Sequence, residues 1–163
     1  MDLPPLVQDN IGEVLVKIIG FTDLRRSILH GNIHNLHRAG YVPQDLPVLE
    51  FAEVLDSAVS EHMQNHRLLF QDTLHIRFGP NGVMHIRPVI DEYAKTLLDS
   101  DPDEYLELQI DRLLENTLNR MVAEQLIRQN VEVTGNLPHG NVNEVMPSGV
   151  FLDNPPSRPE STE

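Results

Sequence analysis

The chain contains no cysteine and no tryptophan, and aromatic residues make up only 5% of its 163 residues. Without cysteine it can form neither disulfide bonds nor thiolate metal sites, and it has no cysteine nucleophile. A compact globule of this length usually has more aromatic bulk at its centre. We therefore expect a single domain that has either a small core or an elongated helical shape sharing its core with neighbouring molecules.

Positive charge is also scarce. The chain has 12 lysines and arginines against 25 aspartates and glutamates, which gives a formal net charge of −13. Phosphate binding needs a basic face that releases counterions, so this balance argues against DNA, RNA and an anionic membrane surface. The acidic residues are spread along the chain, and we interpret them as a source of solubility and of repulsion between free subunits.

Long apolar runs are absent as well. No stretch approaches the roughly 20 apolar residues of a membrane-spanning helix. The first residues, Met1–Pro5, lack the basic start and the apolar core of a secretory signal. We expect neither a direct membrane span nor a cleavable signal peptide.

Helical periodicity dominates the first part of the chain. Residues 1–10 are polar and include two prolines, and we expect a disordered lead-in there. Apolar residues then recur every three or four positions over 11–39, which predicts an amphipathic helix. The segment Gly20–Asp23 could divide this helix, with Thr22 as a new N-cap. Gly40 should end it, because glycine adopts the left-handed cap conformation at little cost.

Three shorter features follow the proline-containing loop at 41–47. A second amphipathic helix places Phe51 and the apolar residues after it on one side. Alternating residues around the turn Gly79–Gly82 predict a small β-hairpin over about 74–87. Residues 88–102 are ambiguous and could include a short helix.

The strongest helical pattern covers residues 103–130. Asp101 or Ser100 is a candidate N-cap for it. From 131 to 163 the composition shifts towards proline, which predicts a disordered tail. The fold class is therefore mainly α: elongated, coiled-coil-like antiparallel N- and C-terminal helices, a middle helix and a small β-hairpin within a domain at 11–130. The apolar positions of the last helix are Leu106, Ile110, Leu113, Leu114, Leu118, Met121, Val122 and Leu126.

Histidines are the first candidates for chemistry. His30, His34 and His37 fall at i, i+4 and i+7, a spacing that can hold zinc or nickel on one helix face. A metal-dependent hydrolase is therefore the enzyme alternative. No carboxylate completes an H-E-x-x-H pattern, and Gly31 and Asn32 weaken the helix between these histidines. His62 and His66 form another i, i+4 pair, which is discounted for the same reason, whereas we expect His75 and His85 to face each other across the strands of the hairpin.

Clustered carboxylates are the second candidates. Asp91 with Glu92, and the acidic residues within 99–104, are neighbours of the kind found on solvated surfaces. The stretch from Asp99 lacks the glycine that a calcium loop needs at its sixth position. No glycine-rich phosphate loop and no nucleophile elbow are present. We predict that the chain is not an enzyme and has no cofactor, catalytic residue or metal ligand.

One pattern of residues, at the end of the first helix, is a more specific indication of function than the histidines and carboxylates are. An amphipathic helix ends in Asn32, Ile33 and Asn35, and Gly40 and Tyr41 follow after four residues. Asparagine readily bonds local backbone groups, so the two asparagines can tie the helix end to the next loop. Gly40 permits the turn and Tyr41 can pack back on the helix. In this pattern the chain resembles the N-terminal signature of bacterial flagellar basal-body rod proteins.

The last helix can be aligned with the same family, whose members end in a long helix with an acidic-apolar start and a later asparagine followed by leucine. Leu106 with Glu107, and Asn116 with Leu118, fit this pattern. Asp45 falls where the proximal rod members carry an acidic residue. The chain departs from the family at Arg38-Ala39, where Thr-Pro is usual, and in its proline-rich tail.

The resemblance implies a structural subunit of the flagellar rod. Its partners would be other rod subunits, the base of the rod at the inner-membrane ring and the flagellar type III export apparatus. It would lie in the periplasm-spanning basal body and transmit motor torque to the distal rod and hook. An acidic helical chaperone or adaptor that binds a partner helix is the alternative. The assembly residues implied are Asn32, Ile33, Asn35, Gly40, Tyr41, Leu106, Ile110, Leu114, Asn116, Leu118 and Met121.

Overall fold

Helices account for most of the chain in the computed structural model, which describes residues 5–134 and 150–152. Long helices lie at both ends of the first range, and two shorter helices and a small hairpin lie between them. The predicted fold class is therefore confirmed. The elements are α1 (Pro5–His34), β1 (Gln44–Asp45), α2 (Val48–Asn65), β2 (Ile76–Phe78), β3 (Met84–Ile86), β4 (Val89–Ile90), α3 (Glu92–Ser100), α4 (Pro102–Thr134) and β5 (Val150–Leu152).

Helices α1 and α4 pack antiparallel along their length. Near the start of α1, Leu15 and Ile19 form an apolar cluster with Ala123 and Ile127 of α4. Further along α1, the partners come from progressively earlier turns of α4. We call this contact the seam; its buried α4 residues are Tyr105, Gln109, Asn116, Ala123 and Ile127.

The hairpin and α2 pack on another side of α1. Phe21 stacks on Phe51 of α2 with ring centroids 4.0 Å apart and planes within 5° of parallel. Both rings join the main hydrophobic cluster together with Ile76, Met84 and Ile86 of the hairpin. These three hairpin side chains are fully buried, so the hairpin is held in place by its apolar inner face.

Two small sheets complete the fold. Strands β1 and β4 pair antiparallel, and this pairing joins the loop after α1 to the segment before α3. Strands β2 and β3 form the hairpin, in which Arg77 lies opposite His85. Asn81 and Gly82 in the turn both have positive φ, as tight turns require. Strand β5 pairs parallel with β3.

Helix α1 differs from the sequence prediction at both of its ends and in its middle. It begins at Pro5, so residues 5–10, expected to be a disordered lead-in, are helical. It ends at His34 instead of 39, and turns lead to Gly40, whose φ of +70° agrees with the predicted left-handed conformation. No break occurs at Gly20–Asp23, because Phe21 is buried in the main cluster and the Thr22 hydroxyl donates to the Ile19 carbonyl.

In the C-terminal part of the chain, the sequence predicted the last helix but not the exact ends of the elements. Residues 88–102, left ambiguous, form β4 and α3, and the Asp91 carboxylate caps α3 by accepting from the Ala94 amide at 2.9 Å. Asp101, a predicted cap, accepts from the Glu104 amide at 3.0 Å. The last helix covers Pro102–Thr134 instead of 103–130. Of the tail, residues 131–134 are helical and 150–152 form β5; the rest of that prediction lies outside the described residues.

Candidate assembly surface

Asn32 is the centre of a buried polar network at the end of α1. Its side-chain nitrogen donates to the Gln44 carbonyl at 2.7 Å and to the Gln109 side-chain oxygen at 2.9 Å. Its side-chain oxygen accepts from the Tyr41 hydroxyl at 2.8 Å and from the Gln44 amide at 3.2 Å. Asn32 is 0% exposed, so the full hydrogen-bonding capacity of its amide is satisfied inside the protein. One side chain therefore joins α1, the following loop and α4.

Two tyrosines border Asn32. The Tyr105 hydroxyl donates to the Asn32 backbone carbonyl at 3.1 Å. Burial raises the pKa of Tyr105 to about 12. Tyr41 and Asp91 contribute smaller increases, which outweigh the lowering effect of the Arg112 charge. Burial also raises the pKa of Tyr41, against the opposing charge of Arg38. Both hydroxyls therefore remain protonated donors at neutral pH.

The other residues of the motif that runs from Asn32 to Tyr41 have local roles. The Asn35 side chain donates to the Gly31 carbonyl at 2.8 Å and closes the last turn of α1. Ile33 is half-buried, and Gly40 is exposed in its left-handed conformation. The contacts of Asn32 agree with the prediction that it ties the helix end to the following loop. The side-chain bond of Asn35 differs from that prediction, because it stays within the helix end.

Two arginines link four elements beside this network. The Arg25 guanidinium of α1 makes a bidentate pair with Asp45 of β1, with both nitrogen–oxygen distances 2.9 Å. Arg112 of α4 pairs with Asp91, the cap of α3, and lies 3.9 Å from Asp45. Arg25 is also 3.9 Å from the more exposed Glu115. Bidentate pairs of this kind specify geometry as well as adding energy.

Polar pairs continue along the seam. The Asn116 side chain donates to the Thr22 backbone carbonyl at 2.8 Å, and Asn116 is buried. Arg120 pairs with Asp23 of α1 and lies 2.8 Å from Glu124 of its own helix. The hydrogen bond from Arg120 to Asp23 raises the pKa of the guanidinium. The side of α4 that meets α1 is therefore largely polar in its first half.

The apolar positions of α4 lie mostly on the opposite side from the seam. We call the exposed set the stripe, and its members are each 45–58% exposed. Of the assembly residues predicted on α4, Leu106 is half-buried and Asn116 lies in the seam, so neither belongs to the stripe. The predicted residues Ile110, Leu114, Leu118 and Met121 do belong to it. The stripe consists of Ile110, Leu114, Leu118, Met121, Val122 and Leu126.

A groove borders the C-terminal half of the stripe. It has a volume of about 340 Å³ and lies between α1, α2 and α4. Ile18, Phe51 and Leu55 line one side and Val122 and Leu126 the other, while polar groups are few. An apolar side chain or helix edge from another molecule could enter it.

Neither family models, curated proteins nor solved structures match this chain. The geometry of the chain itself therefore carries the functional argument.

The histidine candidates do not converge on one another. His34 is the last residue of α1, so His37 lies beyond the helix that was expected to hold all three. Within the described residues, no group of three or more histidines and carboxylates is placed to hold a metal ion. His62 and His66 have ring centroids 6.4 Å apart, and His66 lies in the left-handed cap of α2.

His75 belongs to a separate polar contact. Its Nδ1 lies 2.8 Å from a Glu50 oxygen, and Thr73 also donates to Glu50. Burial raises the pKa of Glu50, but the hydrogen bonds from Thr73 and His75 outweigh burial and hold it below its usual range. This contact attaches the start of the hairpin to α2.

Across the helices of the described chain, none is both long and apolar enough to cross a membrane.

Sequence reasoning missed several residues of the network. Gln109 and Tyr105 were not singled out, because they interrupt the apolar pattern of the last helix instead of following it. The pairing of Arg25 with Asp45 joins residues 20 positions apart, and no local pattern indicates it. The one available signal was the position of polar residues at helical spacing, since Tyr105, Gln109 and Asn116 follow one face of α4.

Proposed function

We propose that this chain is a structural subunit of the bacterial flagellar basal-body rod, of the proximal type. The observation that carries the proposal is the Asn32 network. It brings Asn32, Tyr41 and α4 together, so that the motif holds the two terminal helices antiparallel and leaves the stripe uncovered within the described part of the chain. A subunit with this arrangement has its assembly surface ready before it meets a neighbour.

The stripe supplies the driving force for assembly. Burying the remaining exposed half of each of its six side chains contributes about 1 kcal/mol, or about 6 kcal/mol in total. Association itself costs on the order of 4–15 kcal/mol, so one such contact gives a weak pair. In a helical tube each subunit has several neighbours, and head-to-tail contacts that do not close into a ring extend it indefinitely.

The rod assignment carries further proposals about location and partners. The subunit would be exported by the flagellar type III apparatus without a cleavable signal. It would join the base of the rod at the inner-membrane ring to other rod subunits, and so transmit torque. The net charge of −13 would keep free subunits apart before they dock.

A second candidate function is that of an acidic chaperone or adaptor. The apolar groove between α1, α2 and α4 favours it, because a groove of about 340 Å³ suits the edge of a partner helix. Such a protein would form a small complex of fixed stoichiometry in the cytoplasm, whereas a rod subunit would polymerise or co-assemble with other rod proteins.

The test is deletion of the coding sequence in the source cell, followed by electron microscopy of basal bodies and complementation with two variants. Leu118→Asp places a charge in the stripe and should abolish rod assembly while expression continues, since Leu118 is half-exposed in the subunit. Leu49→Asp is the matched control. It makes the same change at a leucine of α2 that is 81% exposed and outside the stripe, and it should restore rods. Intact rods and normal swimming in the deletion strain would refute the assignment.

A further inference from the structure

The outer face of the hairpin carries two arginines that form no ion pair with the residues that the structure describes. Ile76, Met84 and Ile86 point into the core, and side chains alternate along a strand, so Arg77 and Arg87 point outward. Both arginines are exposed. Arg77 lies opposite His85, and the Arg87 amide donates to the His75 carbonyl, so the two arginines are diagonal neighbours across the strands. We call this surface the hairpin face.

These two arginines lie on one face of the hairpin in an acidic chain. Among the contacts of the described residues, neither Arg77 nor Arg87 forms an ion pair, although the chain has 25 carboxylate side chains. Diagonal neighbours lie within reach of long side chains, so the like charges of the two arginines repel each other unless a partner compensates them. The hairpin face is therefore a basic sheet face on which, among the described residues, Arg77 and Arg87 form no ion pair.

A complementary acidic surface lies at the start of α4. Asp103, Glu104, Glu107 and Asp111 are all exposed, and none forms an ion pair within the described part of the chain. Glu107 and Asp111 are four residues apart and thus about 6 Å apart along one helix face. Diagonal neighbours on a hairpin are about 7–8 Å apart, so the two pairs of charges have matching spacings. Ile110 of the stripe lies between these two carboxylates in sequence.

The two surfaces lie on different sides of the molecule. α4 contacts α1 through Leu15 and Ile19, whereas the hairpin side of α1 presents Lys17 and Phe21. Each of the latter is two positions after one of the former, which is about 200° around the helix. A basic face on one side and an acidic face on the other suit head-to-tail contact between copies. A symmetric contact would bring like charges together.

We propose that the hairpin face of one copy docks on the acidic start of α4 of the next copy, with Arg77 and Arg87 paired to Glu107 and Asp111. The inference rests on the proposed assembly function and names the contact that sets its direction. Charge complementarity of this kind speeds encounter and rejects wrong registers more than it adds affinity. The stripe next to the carboxylates then supplies apolar burial in the same contact.

Charge reversal tests this contact with the full-length chain. One variant carries Arg77→Glu and Arg87→Glu, and the other carries Glu107→Arg and Asp111→Arg. Self-association is measured by sedimentation equilibrium at low and at physiological salt. The wild type should self-associate, and the difference in association between the wild type and each variant should shrink as salt screens the contact. Each variant alone should associate at least about tenfold more weakly, because like charges then meet.

An equimolar mixture of the two variants should recover association to within about threefold of the wild type, since each reversed surface then finds its complement on the other variant. The control carries Arg26→Glu and Arg38→Glu, which change net charge by the same amount on exposed residues outside the hairpin. It should behave as the wild type does. Circular dichroism should give the same helix content for all variants, because every substituted side chain is exposed.

Three results would overturn the inference. The first is a hairpin variant that associates as the wild type does; the second is a mixture no stronger than either variant alone; the third is a wild type that stays monomeric at about 1 mM. Binding to phosphatidylglycerol vesicles that is lost in the hairpin variant, with self-association unchanged, would assign the face to lipid instead. Loss of rods on deletion together with a monomeric wild type would leave the proposed function standing and remove only this contact.

Discussion

Replacing Asn32 with alanine should destabilise the protein far more than a surface change in the same motif. The substitution removes two hydrogen bonds that the side chain donates and two that it accepts. Each contributes about 1 kcal/mol net, and the buried Gln109 side chain and the Gln44 backbone groups lose their partners. Alanine recovers about 0.6 kcal/mol through its higher helix propensity. The expected loss in free energy of unfolding is therefore about 3 kcal/mol.

The assay is urea denaturation followed by far-ultraviolet circular dichroism, which suits a helical chain without tryptophan. With an m-value of about 1.5 kcal/mol per M, a loss of 3 kcal/mol lowers the midpoint by about 2 M. Asn35→Ala is the matched control, because Asn35 makes a single local bond to the Gly31 carbonyl. Its net cost should be about 1 kcal/mol or less, because only one partly exposed hydrogen bond is lost.

The reasoning would be refuted by an Asn32→Ala variant that loses less than about 1 kcal/mol, or by equal losses at positions 32 and 35. Either result would mean that the network does not hold α4 against the end of α1. The stripe would then have no fixed position relative to the rest of the subunit.

Two further predictions concern the same region. Gly40→Ala should lower the free energy of unfolding by about 1 kcal/mol, because the φ of +70° strains an L side chain even though the site has open space. Gly31→Ala, in helix α1 and also in open space, should raise it by about 0.5–1 kcal/mol, and thermal melts of the two variants should shift in opposite directions. Tyr105, with its pKa raised to about 12 in the fold against about 10 unfolded, loses its proton more readily in the unfolded chain, so stability should fall as pH rises from about 10 to 12. Urea midpoints across that range measure the fall, and a Tyr105→Phe variant with an equally steep fall would contradict it.

Helices and strands that depend on the spacing of nearby residues could be predicted from the sequence. Apolar spacing located both long helices, and alternation around Gly79–Gly82 located the hairpin, now found at β2 and β3. Errors arose where tertiary contacts override local preference. The segment Gly20–Asp23 was a plausible break, yet α1 continues through it. The stacking of Phe21 on Phe51 stabilises the helix by more than the free energy that a glycine inside a helix costs.

The site was only partly predictable. Asn32, Asn35, Gly40 and Tyr41 were identified from a spacing of residue types. Asn32 and Tyr41 make the contacts inferred for them, and Gly40 has the inferred conformation. The Asn35 side chain instead bonds within the helix end and not to the next loop. Gln109 was not identified, because its role depends on which face of α4 meets α1. Periodicity shows that a helix has an apolar face; it does not show whether that face is covered by the same chain or by another molecule.

The division between a polar seam and an apolar stripe has a physical consequence for assembly. An apolar contact between two long helices is weakly directional, and a slip of one turn would move α4 by about 5.4 Å along α1. Polar pairs resist such slips because each misplaced donor or acceptor would be buried without a partner. Asn32 with Gln109, Thr22 with Asn116, and Asp23 with Arg120 are three pairs of this kind along the seam.

In the proposed rod, every subunit must present its surfaces in the same relative positions, because an error in one contact is repeated in the next. With the seam in register, the stripe and the acidic start of α4 keep a constant offset from the hairpin face on the other side of α1. We therefore expect the polar seam to set the accuracy of assembly as well as to stabilise the free subunit. The apolar residues of α4 are then available for neighbours, as their exposure in the isolated chain indicates.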